Sequence, residues 1–253
     1  MTWALDLDGV VWLAGRALPG AAGAVEALRH AGERVVFLTN NSGPLVAGHL
    51  GALAKIGIEC APEDLATSAQ AAASLLTEHS RVAIIGDQGI REALAARGIE
   101  EVDAADKPDA VVMGRTLQLD YWALAAAATA VREGARFIAA NADATFPAGG
   151  PSGLLPGAGA LVAFVATAAG RSAEVAGKPH GPMAALVKAR FGQLSVMAGD
   201  SPRTDGLFAK QVGAQFGLVL SGVTRASDLP VDPAPDRTAP DLAALVADYL
   251  RQR

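Results

Sequence analysis

Short apolar runs alternate along the chain with alanine-rich segments of helical periodicity. Strands are predicted at residues 2–7, 34–39, 65–68, 82–86, 110–114, 136–141, 174–178, 194–200 and 215–222. Helices are predicted at residues 20–31, 44–56, 69–79, 89–97, 119–134, 159–170, 181–191, 204–213 and 241–251. This alternation is typical of a parallel sheet with helices packed on its faces, so the expected fold class is α/β.

The middle block of the chain, from about residue 80 to 171, leaves two architectures open. Its strands could extend the first sheet or form a separate insert, and periodicity alone does not distinguish the two. Near the C-terminal end, a proline-rich linker is predicted at residues 229–241, before the last helix.

Composition narrows the classes of partner. Hydrophobic residues make up 51% of the 253 residues and aromatic residues only 5%, which suits close-packed helices on a sheet. The net charge of −5 offers no basic surface, so nucleic acid is not an expected partner. The single cysteine, Cys60, excludes an intramolecular disulfide and a cysteine-based metal site.

An uncharged stretch at residues 144–170 resembles a membrane span in composition. Pro147, Pro151 and Pro156 interrupt it, and the uninterrupted part is about half of the ~20 residues that a span needs. Strand-like sequence begins at Thr2, which leaves no room for a signal peptide before it. The expectation is a soluble, cytoplasmic protein that does not bind membranes.

Polar residues cluster where several predicted core strands end. The segments are DLDGV (6–10), TNNSG (39–43), GKP (177–179) and GDSPRTD (199–205). Ligands of open α/β sheets bind beyond the carboxyl ends of the strands. We therefore expect these four segments to share one edge of the sheet.

Carboxylates dominate these segments, in the form of Asp6, Asp8, Asp200 and Asp205. Several negative charges in one cleft repel each other, and a bound Mg²⁺ resolves this repulsion because carboxylate oxygens are its natural ligands. The alternative is that each aspartate only forms a turn or caps a helix, which is the commoner role of an isolated Asp-Gly or Gly-Asp pair.

Donors for an anion are available in the same segments. Thr39, Asn40 and Asn41 leave one strand and approach a helix, and Lys178 follows another strand. A compact ammonium at a strand end suits a phosphate or a carboxylate. Taken alone, the asparagines could be ordinary loop residues and the lysine an ordinary surface residue.

In this order, the four segments resemble the motif set of the haloacid dehalogenase superfamily: DLDGV, TNN, GKP and GDSPRTD. TSAQAAA (67–73), FIAANAD with the later GLLPGAGALV (137–162) and LVLSGVT (218–224) are similar to the NagD-like, p-nitrophenylphosphatase-like branch. The similarity extends over essentially the whole chain. It implies a Rossmann-like parallel-sheet core formed by residues 1–79 and 172–253, with an inserted α/β cap formed by residues 80–171.

The resemblance also implies roles for the motif residues. Asp6 would be the nucleophile that forms an aspartyl-phosphate, and Asp8 the general acid and base. Mg²⁺ would be held by Asp6, the backbone carbonyl of Asp8 and Asp200, with Asp205 supporting these ligands. The transferring phosphoryl group would be bound by Thr39, Asn40, Asn41 and Lys178.

Three cap residues are candidates for substrate specificity: Arg115, Asn141 and Asp143. The segment VVMGRT departs from the branch, because relatives often carry a hydrophobic residue and an aspartate where Arg115 and Thr116 stand. Arg115 is therefore a candidate contact for an anionic substrate tail, and an ordinary surface arginine is the alternative.

The expected function is a Mg²⁺-dependent phosphatase of a small phosphorylated metabolite, in the class of sugar phosphates, glycerol phosphate, phosphoglycolate, nucleotides or p-nitrophenyl phosphate. Two alternatives stay open: a phosphotransferase or mutase on the same scaffold, and a phosphoacceptor or binding module without turnover. The oligomeric state is open as well, and a homodimer is one arrangement that an alanine-rich cap helix allows.

Overall fold

The computed structural model of the protein describes residues 1–147 and 153–253. In chain order, its strands are β1 (Thr2–Asp6), β2 (Trp12–Leu13), β3 (Arg16–Ala17), β4 (Arg34–Thr39), β5 (Leu65–Thr67), β6 (Arg81–Ile85), β7 (Glu100–Glu101), β8 (Ala110–Met113), β9 (Arg136–Ala139), β10 (Thr145–Pro147), β11 (Leu154–Pro156), β12 (Glu174–Val175), β13 (Val196–Gly199), β14 (Gln215–Val219) and β15 (Arg237–Ala239). The α-helices are α1 (Ala21–His30), α2 (Val46–Lys55), α3 (Ser68–Ala73), α4 (Gln88–Ala95), α5 (Tyr121–Arg132), α6 (Ala158–Ala169), α7 (Gly181–Phe191), α8 (Leu207–Val212) and α9 (Leu242–Arg251).

The core sheet has six parallel strands in the order β15-β14-β13-β1-β4-β5. From β1 the chain proceeds outward through β4 and β5, then returns to the other side of β1 for β13, β14 and β15. The strand order therefore reverses between β1 and β13, and a crevice forms outside the carboxyl ends of the strands at such a reversal. This topology predicts a ligand site beside the C-terminal end of β1.

Alternating side chains of the core strands pack on opposite faces of this sheet. Trp3 and Leu5 lie in an apolar cluster with Phe37, whereas Ala4 and Val36 lie in a second cluster on the other face. Helices cover both faces, which is why the core strands are nearly continuous runs of apolar residues.

The middle block is a separate insert with its own parallel sheet in the order β12-β9-β8-β6-β7. We call residues 81–175 the cap. Its last strand, Glu174–Val175, pairs with β9 and lies beyond residue 171, where the sequence analysis ended the insert. A two-residue edge strand has too little apolar pattern to be assigned to one sheet or the other from sequence.

One face of the cap sheet is covered by α5 and α6 and the other packs toward the core. Alanines and valines of α5 and α6 pack on their own sheet in a cluster that includes Val111 and Phe137. On the opposite face, Val112 and Ile138 belong to the same buried cluster as Val36 of the core sheet. The cap is thus held against the core by continuous apolar packing.

Short elements account for most differences from the sequence prediction. The helix predicted at 69–79 ends at Ala73, where the Ser74 hydroxyl donates to the Ala71 carbonyl (2.7 Å) and competes with helical bonding. The predicted linker at 229–241 contains the edge strand β15. The hairpins β2–β3 and β10–β11 were not predicted, because strands of two or three residues carry no measurable periodicity.

Two observations concern the uncharged stretch at 144–170. Pro151, which we expected to interrupt it, lies outside the described residues. Within residues 1–147 and 153–253, no helix has both the length and the apolar character needed to cross a membrane.

Tyr249 of α9 links the last helix to the core through its hydroxyl. Its ring packs edge-on against Trp3 at 4.9 Å between centroids, and its hydroxyl donates to the buried Glu33 carboxylate at 3.0 Å. Burial alone would raise the pKa of Glu33, but hydrogen bonds from the first amino group of the chain and from Tyr249, together with the Arg253 charge, lower it. The Tyr249 bond therefore stabilises the folded protein while Glu33 is ionised.

Replacing Tyr249 with phenylalanine keeps the ring contact and removes this bond. We expect a loss of about 2 kcal/mol in the free energy of unfolding at pH 7, typical of a hydrogen bond to a charged group. Because the folded-state pKa of Glu33 is lowered, this contribution is present above its ordinary pKa of 4.5 and is lost as the pH falls through the folded-state value. Urea unfolding at pH 7 and at several pH values below 4.5 measures both effects.

The matched control for this substitution is Tyr121→Phe, because the Tyr121 side chain is exposed. It should change the free energy of unfolding by less than about 0.5 kcal/mol. An equal loss in the two variants, or a Tyr249→Phe loss that stays constant down to the lowest pH at which the protein remains folded, would contradict the proposed contribution of the Glu33 bond.

Candidate active site

Polar side chains from three adjacent strands and one connecting segment meet at the carboxyl edge of the core sheet. Asp6, Thr39 and Asp200 lie at or directly after the ends of β1, β4 and β13, which are neighbours in the sheet. Lys178 comes from the segment between β12 and α7, where the chain returns from the cap. The three strand ends share one edge as predicted, and Lys178 reaches the same place, but the strand before it, Glu174–Val175, belongs to the cap sheet and not to the core sheet as predicted.

Lys178 lies at the centre of this group and is 2% exposed. Its Nζ contacts Asp6 Oδ1 at 2.8 Å and Asp205 Oδ1 at 2.7 Å. Burial alone would lower the pKa of Lys178, but the charges of Asp205 and Asp6 raise it, so the ammonium form is retained. The alternative of a surface lysine is therefore wrong.

Asp6 is the carboxylate that this ammonium holds in place. Burial raises the pKa of Asp6 well above its usual value; Lys178 opposes this effect, and the charges of Asp205 and Asp200 add to it. Three carboxylates thus share one close cationic side chain, and the cluster favours further positive charge.

Asp200 occupies a recess lined by two glycines. A Cβ atom at Gly9 or Gly222 would overlap the Asp200 carboxylate. Position 9 also favours glycine because its φ is +80°, in the left-handed region. The backbone N–H of Val223 donates to Asp200 Oδ2 at 2.6 Å. Burial and the nearby Asp205 charge raise the pKa of Asp200 to about 7. The backbone therefore holds in place a carboxylate that forms no ion pair with any of the described residues.

This cluster fits a divalent cation. One carboxylate oxygen from each of Asp6, Asp200 and Asp205 lies within 4.8 Å of the others. The two oxygens of Asp205 already accept from Lys178 Nζ (2.7 Å) and the Ser201 N–H (3.2 Å). This leaves Asp6 and Asp200 as the better placed carboxylate ligands, and hard oxygen donors of this kind suit Mg²⁺.

Asp8 lies two residues beyond the strand that carries Asp6. The indole Nε1 of Trp12 donates to Asp8 Oδ1 at 3.2 Å. Burial raises the pKa of Asp8, and Trp12, Lys178 and Arg115 each lower it in part. A raised pKa retains the proton to higher pH, which suits a general acid. Trp12 was not predicted, because its contact with Asp8 depends on the two-residue strand β2.

The polar side chains of the loop after β4 hold the backbone of this loop and of the Lys178 segment in place. Thr39 Oγ1 accepts from the Asn41 N–H at 3.0 Å. The Asn40 amide is bonded on both sides to the Lys178 backbone, accepting from its N–H (2.8 Å) and donating to its carbonyl (3.0 Å). Asn40 thus fixes the segment that carries the central lysine.

Asn141 and Asp143 of the cap meet this loop directly. The Asn141 Nδ2 donates to the Asn40 carbonyl at 2.6 Å, and the Asn40 Nδ2 donates to both Asp143 oxygens at 3.1 and 3.3 Å. Burial raises the pKa of Asp143 even though the Asn40 bond lowers it. These contacts join the cap to the core beside Lys178; the predicted role of both residues in specificity stays a prediction.

Arg115 follows β8 and points into the cleft between cap and core. Its backbone N–H donates to Ser42 Oγ at 3.1 Å, and its guanidinium lies 5.1 Å from the centre of the Phe146 ring. The side chain is 21% exposed. The side chain is thus partly buried, and its predicted contact with an anionic substrate tail stays a prediction. Ser42 and Phe146 were not among the predicted site residues: Ser42 lies in the TNNSG segment but was not assigned a role, and Phe146 is an apolar residue outside the four segments.

Family models match both parts of the core. The haloacid dehalogenase-like hydrolase model matches residues 3–100, and a second model, described as HAD-hydrolase-like, matches residues 175–245. Together these matches include all four motif segments of the site.

Characterised relatives are similar over most of the chain. A D-glycerol 3-phosphate phosphatase of Mycobacterium tuberculosis is 40% identical over 88% of this chain, which spans 64% of that longer protein. A dihydroxyacetone phosphatase of Corynebacterium glutamicum is 31% identical over 90% of this chain and 84% of its own length. A crystal structure of the M. tuberculosis glycerol phosphate phosphatase in complex with magnesium superposes with a TM-score of 0.88 and 35% identity, covering 96% of this chain and 75% of that one.

Proposed function

The chain belongs to the haloacid dehalogenase-like hydrolases, and from this premise we propose that it is a Mg²⁺-dependent phosphatase of small phosphomonoesters that works through an aspartyl-phosphate on Asp6. The observation that carries the proposal is the buried cluster in which Lys178 contacts both Asp6 and Asp205, while Asp200 has no ion-pair partner within residues 1–147 and 153–253. The glycerol phosphate and dihydroxyacetone phosphatases among the relatives support the substrate class.

In the first step, an Asp6 carboxylate oxygen attacks the phosphorus atom and the ester P–O bond breaks. The ammonium of Lys178, 2.8 Å from Asp6, orients the nucleophile and neutralises part of the phosphoryl charge. Asp8 donates its proton to the departing alkoxide oxygen, which its raised pKa favours.

In the second step, the Asp8 carboxylate accepts a proton from water, which attacks the phosphorus atom. The bond between phosphorus and the Asp6 oxygen breaks, so inorganic phosphate leaves and Asp6 is regenerated. Splitting the hydrolysis in this way replaces one slow displacement by two faster ones. The Asn41 Nδ2 group, whose amide oxygen accepts from the Gly43 N–H, and the Thr39 hydroxyl would bind phosphoryl oxygens, while Asn40 acts by fixing Lys178.

Asp6, Asp200 and the Asp8 backbone carbonyl would hold Mg²⁺, with Asp205 supporting them through Lys178 and Ser201. When bound, the ion supplies positive charge to the phosphoryl oxygens. A cation would also offset the burial and the Asp205 charge that together raise the pKa of Asp200.

Chelation of divalent metal should abolish turnover. We expect phosphate release from p-nitrophenyl phosphate, glycerol 3-phosphate or dihydroxyacetone phosphate to fall to background with EDTA and to return with excess Mg²⁺. A malachite green assay across such a panel, ranked by kcat/KM, measures this. Full activity in EDTA would contradict the metal requirement.

The same assay separates the two alternative functions. Stoichiometric labelling of the protein without continued phosphate release would indicate a phosphoacceptor module, and transfer to an added sugar in place of water would indicate a phosphotransferase or mutase. Asp8 argues against a pure acceptor, which needs no second carboxyl group to protonate a leaving group.

A further inference from the structure

The guanidinium of Arg115 is a partly unsatisfied cation in the cleft between cap and core. Its Nη2 lies 3.6 Å from Asp87 Oδ2, beyond ordinary hydrogen-bond distance. Its Nε is buried and has no hydrogen-bond partner among the residues that the structure describes. Buried polar groups normally have hydrogen-bond partners. A buried guanidinium N–H group without one is therefore typical of a ligand-binding position.

The fork is fixed in place from two sides. Phe146 stacks against the guanidinium, and Ser42 binds the Arg115 backbone. A Cβ atom at Gly43 would come within 2.6 Å of Nη2 and 2.8 Å of Nε, so the absence of a side chain at Gly43 makes room for the guanidinium. A cation held in this way loses little further conformational freedom on binding.

The position of the Arg115 guanidinium indicates which part of the substrate it faces. Arg115 follows the cap strand β8, and its guanidinium lies between Gly43, in the loop that also carries Asn41, and Phe146 of the cap. In the proposed reaction, Asp8 protonates the leaving group, so the organic part of the ester extends from Asp8 into the space under the cap. A guanidinium between the cap and this loop faces the organic part of the ester, whereas Lys178 contacts Asp6, the nucleophile.

We infer that Arg115 binds a carboxylate on the leaving group, so that the preferred substrates are small phosphomonoesters bearing a carboxylate. This inference rests on the proposed function. A planar fork with free N–H groups matches the two oxygens of a carboxylate better than a single hydroxyl does. The aspartates around the cleft and the net charge of −5 would otherwise repel an additional anion, and Arg115 offsets that repulsion locally.

The test uses two esters that differ only at the end of the leaving group. 3-Phosphoglycerate carries a carboxylate where glycerol 3-phosphate carries a hydroxymethyl group. For the wild-type protein, kcat/KM should be higher for 3-phosphoglycerate. In Arg115→Met the ratio of the two kcat/KM values should fall by roughly 10- to 100-fold, the equivalent of a lost hydrogen bond to a charged group. Arg115→Lys should recover part of the ratio.

The control is Arg132→Met, because Arg132 is an exposed cap arginine on α5 that donates to Thr129 and the Ala168 carbonyl. Its ratio should equal that of the wild type. Equal losses on both esters in Arg115→Met would overturn the inference, as would a wild-type preference for glycerol 3-phosphate.

Binding measured without turnover keeps the inference separate from the proposed function. In the Asp6→Asn background, calorimetry should show that 3-phosphoglycerate binds more tightly than glycerol 3-phosphate and that adding Arg115→Met removes the difference. Equal affinities would overturn the inference even if both esters are hydrolysed. Failure of the wild-type protein to hydrolyse any phosphomonoester would instead contradict the proposed function, and the binding comparison would still decide the role of Arg115.

Discussion

Replacing Asp6 with asparagine is expected to lower kcat for every phosphomonoester by roughly 10⁴-fold or more, as the loss of a nucleophile does in other enzymes. The amide keeps the size and shape of the side chain but cannot form the acyl phosphate. Because burial and two neighbouring carboxylates raise the pKa of Asp6, a neutral side chain suits this position, and the folded protein should lose little stability. Phosphate release and thermal unfolding measure the two effects.

Two variants make this result specific. Asp106→Asn, at an exposed position of the cap, should leave kcat unchanged. Asp8→Asn should also slow turnover, by roughly 10²- to 10⁴-fold, because both proton transfers are lost. With p-nitrophenyl phosphate, whose leaving group needs little protonation, Asp8→Asn should release one equivalent of p-nitrophenol in a burst and then stall. Asp6→Asn should show no burst.

The pattern of bursts distinguishes the two aspartates. A burst in Asp6→Asn would mean that another group accepts the phosphoryl, and undiminished turnover in that variant would show that Asp6 is not the nucleophile. A slow Asp8→Asn enzyme with no burst would assign Asp8 to the first step alone or to the structure of the site.

The edge of the core sheet could be predicted from sequence because Asp6, Thr39 and Asp200 each lie at the end of a strand with a clear apolar pattern. Parallel strands align their carboxyl ends, so Asp6, Thr39 and Asp200 had to lie together once the strands were identified. Lys178 was harder, since a lysine after a strand is exposed in most proteins; its burial follows from where the chain re-enters the core.

Contacts between distant segments were not predictable in the same way. The Arg115 bond to Ser42, separated by 73 residues, and the Asn40 bond to Asp143, separated by 103 residues, depend on how the cap sits on the core. The glycine recess around Asp200 is a further example, because Gly222 belongs to a segment whose resemblance to the family could be seen without any sign of its role. Hydrophobic periodicity describes single elements and holds no information on such pairs.

Lys178→Met is expected to abolish activity and, in contrast to Asp6→Asn, to destabilise the fold. Methionine fills a similar volume, but Asp6 and Asp205 would lose the ammonium that both contact. Breaking a buried ion pair by removing one partner costs about 3–5 kcal/mol, because the remaining charge is left uncompensated. Denaturant unfolding in EDTA at pH 7.5 measures the loss, and phosphate release should fall by roughly 10³-fold or more, the scale of removing a positioned electrostatic donor.

A double-mutant cycle separates charge from packing in this loss. If the cost of Lys178→Met comes from uncompensated carboxylates, it should be smaller in the Asp6→Asn background, where one of the two is already neutral. The cost of Lys178→Met should also decrease as the pH falls. The pKa of Asp6 is raised in the folded protein, so its protonation stabilises the folded protein relative to the unfolded chain. An identical cost in both backgrounds, at pH 7.5 and at lower pH, would show that Lys178 stabilises the site by packing alone. Its ammonium would then have no part in holding the nucleophile.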